Sequence, residues 1–246
     1  MAVTSRAPLS RERVLSAAMR LADSGGLAAV TMRKVAADLD VEAMSLYHHL
    51  PGKDGLLDGL VESIVAEIQT EVAMLLPADD WRADVRGRAL AARRVMVRHP
   101  WAPVLIGARP SVPTAVFGYF EQIVAAMVRG GVGYHLAHQG LHSLGSMLMG
   151  FAQEVFNPAA AGGTIEEDAT QEEMARLAEQ IPHLIAMAAT EAHAATDPTL
   201  GWCDSQTEFE FTLDLLLEGL DRARRAAEAA QPRRPRDTRS SGPGAS

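Results

Sequence analysis

Arg33, Lys34, Tyr47, His48, His49 and Lys53 fall within one short segment, TMRKVAADLDVEAMSLYHHLPGK, spanning residues 31–53. The chemistry these side chains offer is recognition rather than bond making: a planar guanidinium fits guanine O6 and N7, while an ammonium or a phenol holds a phosphate oxygen. The spacing points the same way. Thr31 can accept a backbone N–H at the start of a helix, and Val35 and Leu39 follow four residues apart on one apolar face. That predicts a helix from about Met32 to Leu39. Asp40 stands at the break, and Asp tolerates left-handed backbone better than most residues. Val41 and Leu46 are expected to face inward, which leaves Glu42, Ala43, Ser45, Tyr47, His48 and His49 on outward or partly outward positions. Pro51 and Gly52 stop this second helix. Lys53 opens the next one, where backbone N–H groups and the helix dipole favour a phosphate. Two short helices with a tight turn and such a surface imply a helix-turn-helix whose second helix enters the DNA major groove.

Other constellations carry less. Cys203 is the single cysteine, which excludes an intrachain disulfide, and it has no evident base partner. The chain holds no Gly-rich phosphate loop after a strand and no Gly-x-Ser-x-Gly, so an enzyme is not expected. His135, His138 and His142 share a helical face at a spacing that can bind zinc. No acid or cysteine lies near them in sequence, so they are read as polar interface or pocket histidines, with no metal and no cofactor.

The elements that must position these groups all read as helices, and the fold class is all-α. Val14, Ala18, Leu21 and Ala22 keep helical spacing between a start at Ser10 or Thr4 and a stop at Gly25-Gly26. Three helices then make a head over residues 1–54, with an N-terminal arm at 1–9. A long helix from Lys53 to about Leu76, with Leu56, Leu57, Leu60, Ile64 and Ile68 on one side, joins the head to the body, and Pro77 ends it. Asp79 or Asp80 caps a helix from Trp81 to about Arg98. Pro100 and Pro103 flank a short helix up to Gly107, and another reaches Arg129 before the turn at Gly130, Gly131 and Gly133. Tyr134 to Phe156 is long and mostly apolar, Asn157 to Asp168 is a loop, and Glu172 to Ala195 is helical with a break at Pro182. A last helix runs from Ser205 to Ala229. The body therefore spans 55–229, and the tail at 230–246 is too polar to fold alone.

Composition is compatible with this reading. No run approaches the ~20 apolar residues needed to cross a bilayer, and the N-terminus lacks a signal-peptide core, so a cytoplasmic protein is expected. The formal net charge is −8, and residues 1–60 hold seven Lys/Arg against seven Asp/Glu. Affinity for DNA should thus depend on a few local cations rather than on a basic whole. Arg6, Arg11 and Arg13, in the N-terminal arm, are expected to add to them.

Taken in order, SRERVLSAAMRLADSGG, VTMRKVAADLDV and SLYHHLPGKDGLLDGL resemble the N-terminal DNA-binding domain of TetR-family transcriptional repressors. Leu46, Tyr47, His49 and Lys53 are the most specific part of the likeness. WRADVRGRALAARRVMVRHPW, the IGARP segment, RGGVG and FEFTLDLLLEGLDR resemble the ligand-binding domain of the tetracycline-repressor branch, so the likeness runs over roughly residues 10 to 226.

The resemblance implies a homodimeric repressor that binds a palindromic double-stranded operator and is released by a small molecule. An activator on the same fold stays open, as does a ligand-sequestering or protein-interaction dimer with a vestigial head. The implied DNA contacts are Thr31, Arg33, Glu42, Ala43, Met44, Ser45, Tyr47, His48, His49 and Lys53. Arg33 would reach a base or a phosphate, Tyr47 and His49 would hold phosphates, and Ala43, Met44 and Ser45 would choose bases, with thymine methyl groups suited to the first two. The alternative for Tyr47 is a packing aromatic that closes the head. Helices 134–156 and 205–229 would form a four-helix bundle with their symmetry mates. Gly140, Gly145, Ser146 and Gly150 would permit close approach there, and Phe209, Leu213, Leu216, Leu217 and Leu220 would supply the apolar face. By position, Met96, Trp101, Leu105, Phe117, Phe120, His142, Met147 and Phe151 would line the ligand pocket. The chain departs from the tetracycline repressor where that protein holds a Mg-chelated drug. Ile68, Gly87, Ala91, Leu105 and Ala108 stand there and cannot bind a metal, which implies a more apolar or aromatic inducer and no Mg.

Overall fold

A computed structural model describes residues 8–151, 176, 178–194 and 205–230, and every regular element among the described residues is helical. The head opens with α1 (Arg11–Gly25), whose N-cap Ser10 accepts the Arg13 N–H at 3.3 Å. Val14, Leu15, Ala17, Ala18 and Ala22 form its buried stripe. A short 3₁₀ turn at Leu27–Ala29 leads to α2 (Met32–Leu39) and α3 (Ala43–Leu46), and α4 (Gly52–Ala73) then runs from the head into the body. Gly59 is where α1 crosses α4: a Cβ there would meet the Leu15 methyl groups, which would have to shift.

The body adds α5 (Trp81–Arg98), α6 (Ala102–Ala108), α7 (Thr114–Arg129), α8 (Tyr134–Gly150), α9 (Pro182–Ala194) and α10 (Ser205–Ala230). Helix α5 is the hub and packs against α4, α7, α8 and α10. Its sequence explains how. The buried face includes Ala89, Ala91 and Ala92, small enough for neighbours to come close, and its arginines reach outward to acids on the flanking helices. Arg94 and Arg98 bond Glu71 of α4 at 3.0 and 2.9 Å, and Arg86 bonds Glu210 and Asp214 of α10, each at 2.7 Å. These partly exposed pairs set register more than stability, because such pairs contribute roughly 0–1 kcal/mol each. Arg93 is the exception on this helix, being buried: its Nη1 donates to the Phe151 carbonyl at 3.0 Å and its guanidinium lies 5.2 Å from the Phe209 ring centroid.

Helix boundaries fall within a few residues of those expected, with α4 ending earlier, at Ala73, and a bend at Ile181 ahead of Pro182. The expected extension of α8 to Phe156, the loop at 157–168 and the tail lie outside the described residues. No helix among the described residues is long and apolar enough to cross a membrane.

Candidate nucleic-acid interface

The turn between α2 and α3 sets the geometry of the head. Thr31 caps α2 by accepting the Lys34 N–H at 3.2 Å, so the hydroxyl of one expected DNA contact is also structural. At the other end Asp40 is left-handed (φ 51, ψ 53), as its place at the break suggested. Its N–H bonds Ala37 O at 3.1 Å and the Val41 N–H bonds Ala36 O at 3.0 Å. This pair of bonds satisfies carbonyls that the helix end would otherwise leave open.

Helix α3 proper is a single turn, and the chain from Tyr47 to His49 continues it in turn conformation. Leu46 and Leu50, four apart and both buried, anchor it to the core. Val41, expected inside, is half-buried against that core. With the anchors fixed, Glu42, Met44, Tyr47 and His48 are exposed and Ala43, Ser45 and His49 are half-buried. Met44 is 72% exposed and Tyr47 49%, so about half of the Tyr47 surface is open to a ligand. Arg33 and Lys34 are exposed in the first turn of α2, and Lys53 is exposed in the first turn of α4.

Several head carboxylates are engaged by side chains of opposite charge or by N–H donors. Asp38 accepts from Arg20 at 2.6 Å. Asp58 and Asp54, on either side of the turn that follows Lys53, accept from Arg109 at 2.8 and 3.3 Å. Arg109 ends α6 in the body and was not among the expected site residues; its place in the IGARP segment was the available signal. The arginines expected to reach DNA from an N-terminal arm need correction. Arg11 and Arg13 lie in the first turn of α1, where Arg11 pairs with Glu62 of α4 at 2.6 Å and Arg13 donates to Pro8 O at 2.8 Å. Arg6 lies outside the described residues.

In the body the expected ligand residues differ in burial, and six of the eight belong to or pack against one hydrophobic core. Met96, Trp101 and Leu105 are buried, Phe120, Met147 and Phe151 are half-buried, and Phe117 and His142 are exposed. The rings of Phe117 and Phe120 meet edge to face at 6.5 Å, and Phe151 meets Phe209 at 5.3 Å. A cleft of about 400 Å³ lies elsewhere, lined by Gly131, Gly133, His135, Leu136, Arg224, Ala227 and Glu228. His135, His138 and His142 are all exposed on α8, with the last two rings 4.5 Å apart, and no metal-holding cluster occurs among the described residues.

The apolar face proposed for α10 is also corrected. Phe209, Leu213, Leu217 and Leu220 are buried within the chain's own core, and Leu216 is half-buried. Gly140 likewise faces Leu220 and Met127 of the same chain. The helix carries a second stripe, Phe211 and Leu215, at 65% and 54% exposure. On α8, Gly145 and Gly150 have nothing within reach of an added Cβ.

Comparison with known proteins gives two family matches: "Bacterial regulatory proteins, tetR family" over residues 14–60 and "Tetracyclin repressor-like, C-terminal domain" over residues 75–224. An HTH-type transcriptional regulator of Saccharopolyspora erythraea is 33% identical over 125 residues, 51% of this chain and 52% of the relative. The class E tetracycline repressor protein of Escherichia coli is 36% identical over 122 residues, 49% of this chain and 55% of the relative. The chain thus spans about half the length of the curated relatives it matches. Among solved structures, the Streptomyces coelicolor TetR family protein ActR in complex with (S)-DNPA superimposes with a TM-score of 0.64 at 25% identity, covering 89% of this chain and 100% of that one.

Proposed function

This chain belongs to the tetR family of bacterial regulatory proteins, and on that footing we propose that it is a ligand-responsive transcriptional repressor acting as a homodimer on a palindromic operator. The observation that carries the reading is the α3 turn: Leu46 and Leu50 seat it on the core while Met44, Tyr47 and His48 project outward. Arg33 and Lys53 flank that surface as the guanidinium for a base edge or phosphate and the ammonium for a phosphate. Ala43, Met44 and Ser45 choose the bases, and Tyr47 and His49 position the helix through the backbone.

Dimerisation follows from the task, because one head reads too few base pairs, whereas two-fold symmetry reads half-sites about 34 Å apart or a multiple of that. The exposed stripe Phe211 and Leu215 of α10, with the open positions Gly145 and Gly150 of α8, is the surface we assign to the partner. The head ends near residue 54 and the body takes the inducer. Ile68, Gly87, Ala91, Leu105 and Ala108 offer no metal ligand, so the inducer is an apolar or aromatic small molecule bound without Mg. Work on operator DNA places the protein in the cytoplasm.

The test is a fluorescence-anisotropy titration of the full chain against the DNA upstream of its own gene and against random DNA, at two salt concentrations. Tight, salt-sensitive binding that Tyr47→Ala and Arg33→Ala both weaken is expected. Equal weak binding to both DNAs, indifferent to either substitution, would instead support a ligand-sequestering dimer with a vestigial head.

A further inference from the structure

His99 closes α5 and is buried, and each of its ring nitrogens faces a carboxylate on a different helix. Nδ1 lies 2.7 Å from Asp23 Oδ1 and Nε2 lies 3.1 Å from Glu67 Oε2. Asp23 belongs to α1 in the head, and Glu67 to α4, which joins head and body. Trp101, at the start of α6, donates its indole N–H to the same Asp23 oxygen at 2.7 Å. Its ring stands edge-on to the imidazole with centroids 5.7 Å apart. Four elements therefore meet at one imidazole.

An ionised carboxylate only accepts hydrogen bonds. Both His99 contacts are hydrogen bonds only when both ring nitrogens carry protons, which is the imidazolium form. A neutral ring would keep one bond and turn a lone pair toward the other carboxylate. The local charges agree. Asp23 faces the site from α1, and Glu67 and Glu71 from α4. Arg94 and Arg98 of α5 answer them, with Arg98 3.5 Å from Glu67 and 2.9 Å from Glu71 and Arg94 3.0 Å from Glu71. Helix α6 contributes only the neutral indole. Three carboxylates thus meet two guanidiniums, and an imidazolium supplies the third positive charge.

We propose that His99 is a positioning residue for DNA binding: as an imidazolium it clamps α1 of the head to α4 and to the α5–α6 corner, and loss of its proton loosens the head. The proposal rests on the regulator reading above. Two heads must present their α3 turns at one fixed separation. A clamped head is already ordered, whereas a loosened one must give up motion on binding. Operator affinity should therefore fall as pH rises through the titration of the clamp.

The experiment uses the full-length wild type, His99→Gln, Asp23→Asn and Trp101→Phe between about pH 5.5 and about pH 8.5, the range over which imidazoles exchange their proton. Indole emission reports the clamp, because a protonated imidazole quenches an adjacent indole more than a neutral one. Anisotropy against the upstream DNA and against random DNA reports function. A step in emission is expected in the wild type and in neither His99→Gln nor Trp101→Phe. Wild-type affinity for the upstream DNA should weaken about three- to tenfold more across the range than that of His99→Gln or Asp23→Asn, as expected for loss of a charge-assisted contact that is partly open to solvent. Comparing the wild type with His99→Gln cancels ionisations common to both proteins. Parallel affinity profiles with specific binding intact would overturn the clamp and leave the regulator reading standing. No preference for upstream DNA at any pH would overturn the regulator reading, and the emission step would then decide the clamp alone, its absence refuting it.

Discussion

Removing the Lys53 ammonium should change how operator binding depends on salt, not merely how strong it is. Lys53 is exposed in the first turn of α4, beside N–H groups that begin a helix 22 residues long. The carboxylates nearest in sequence, Asp54 and Asp58, are held by Arg109 at 3.3 and 2.8 Å, so they oppose a phosphate there less than open carboxylates would. A dimer carries Lys53 twice. Each lost phosphate contact removes about 0.9 from the slope of log affinity against log salt, so Lys53→Ala should flatten the slope by about 1.8. Between about 50 and about 200 mM salt the defect should then shrink by roughly tenfold. Met44→Ala is the control, because its thioether neutralises no phosphate. Its penalty should be confined to the preferred sequence and constant with salt. Anisotropy titrations at four or more salt concentrations measure both. A Lys53→Ala line parallel to wild type would refute the phosphate assignment, even if the affinity itself had dropped.

Three other outcomes are expected. Asp40 sits at φ 51, a conformation costing an L-residue roughly 1–2 kcal/mol; Asp40→Gly should leave the unfolding free energy from urea titration unchanged or raise it by up to ~1 kcal/mol, whereas Asp40→Val should lower it. Phe211→Glu with Leu215→Glu should yield monomers in sedimentation with the helical circular dichroism retained, whereas Phe209→Ala, fully buried, should cost about 3–5 kcal/mol of stability. Tyr119 donates to the Arg88 carbonyl at 3.0 Å, and burial pushes its phenol well above the ordinary range. Its folded value is raised, so its contribution is complete below about pH 10, where the unfolded phenol ionises, and is lost above. Tyr119→Phe should cost about 1 kcal/mol at neutral pH and should flatten the alkaline fall of the unfolding midpoint.

What could be read from the sequence was local. Ser10, Thr31 and Asp80 cap the helices they precede because a cap uses only the next three residues, and Asp40 marks its turn because few side chains tolerate its backbone. The outward set on α3 followed from Val41 and Leu46 read as inward; Leu46 is buried, and Leu50 rather than the half-buried Val41 is its fellow anchor. The last helix was different: Phe209, Leu213, Leu216, Leu217 and Leu220 read as the interface, whereas Phe209, Leu213, Leu217 and Leu220 face the chain's own core and Phe211 and Leu215 lie on another, exposed stripe. Only the position of α5 and α8 decides which stripe the chain covers itself. The ligand candidates were chosen by place in the chain, which could not foresee that the Trp101 indole bonds Asp23, 78 positions away. Arg109 and His99 act through partners 51 and 76 positions distant, beyond any local pattern.

Those two residues also bound what an inducer must accomplish. Helix α6 holds seven residues between them, with the clamp of His99 and Trp101 on α1 at one end and Arg109 on the first turns of α4 at the other. A molecule that moved α6 would disturb both connections, and one that left α6 in place would reach the head through α4 or through His99 at the end of α5. Hydrogen bonds to charged groups contribute about 1.5–3 kcal/mol when well shielded, and the partial exposure of Asp23, Glu67 and Asp58 lowers this toward ~1 kcal/mol each. A ligand shifts an equilibrium only by its differential affinity for the two states. A preference of roughly a hundred- to two-hundredfold for the displaced arrangement is thus sufficient to offset both connections. Apolar burial can supply that at ~25 cal/mol per Å².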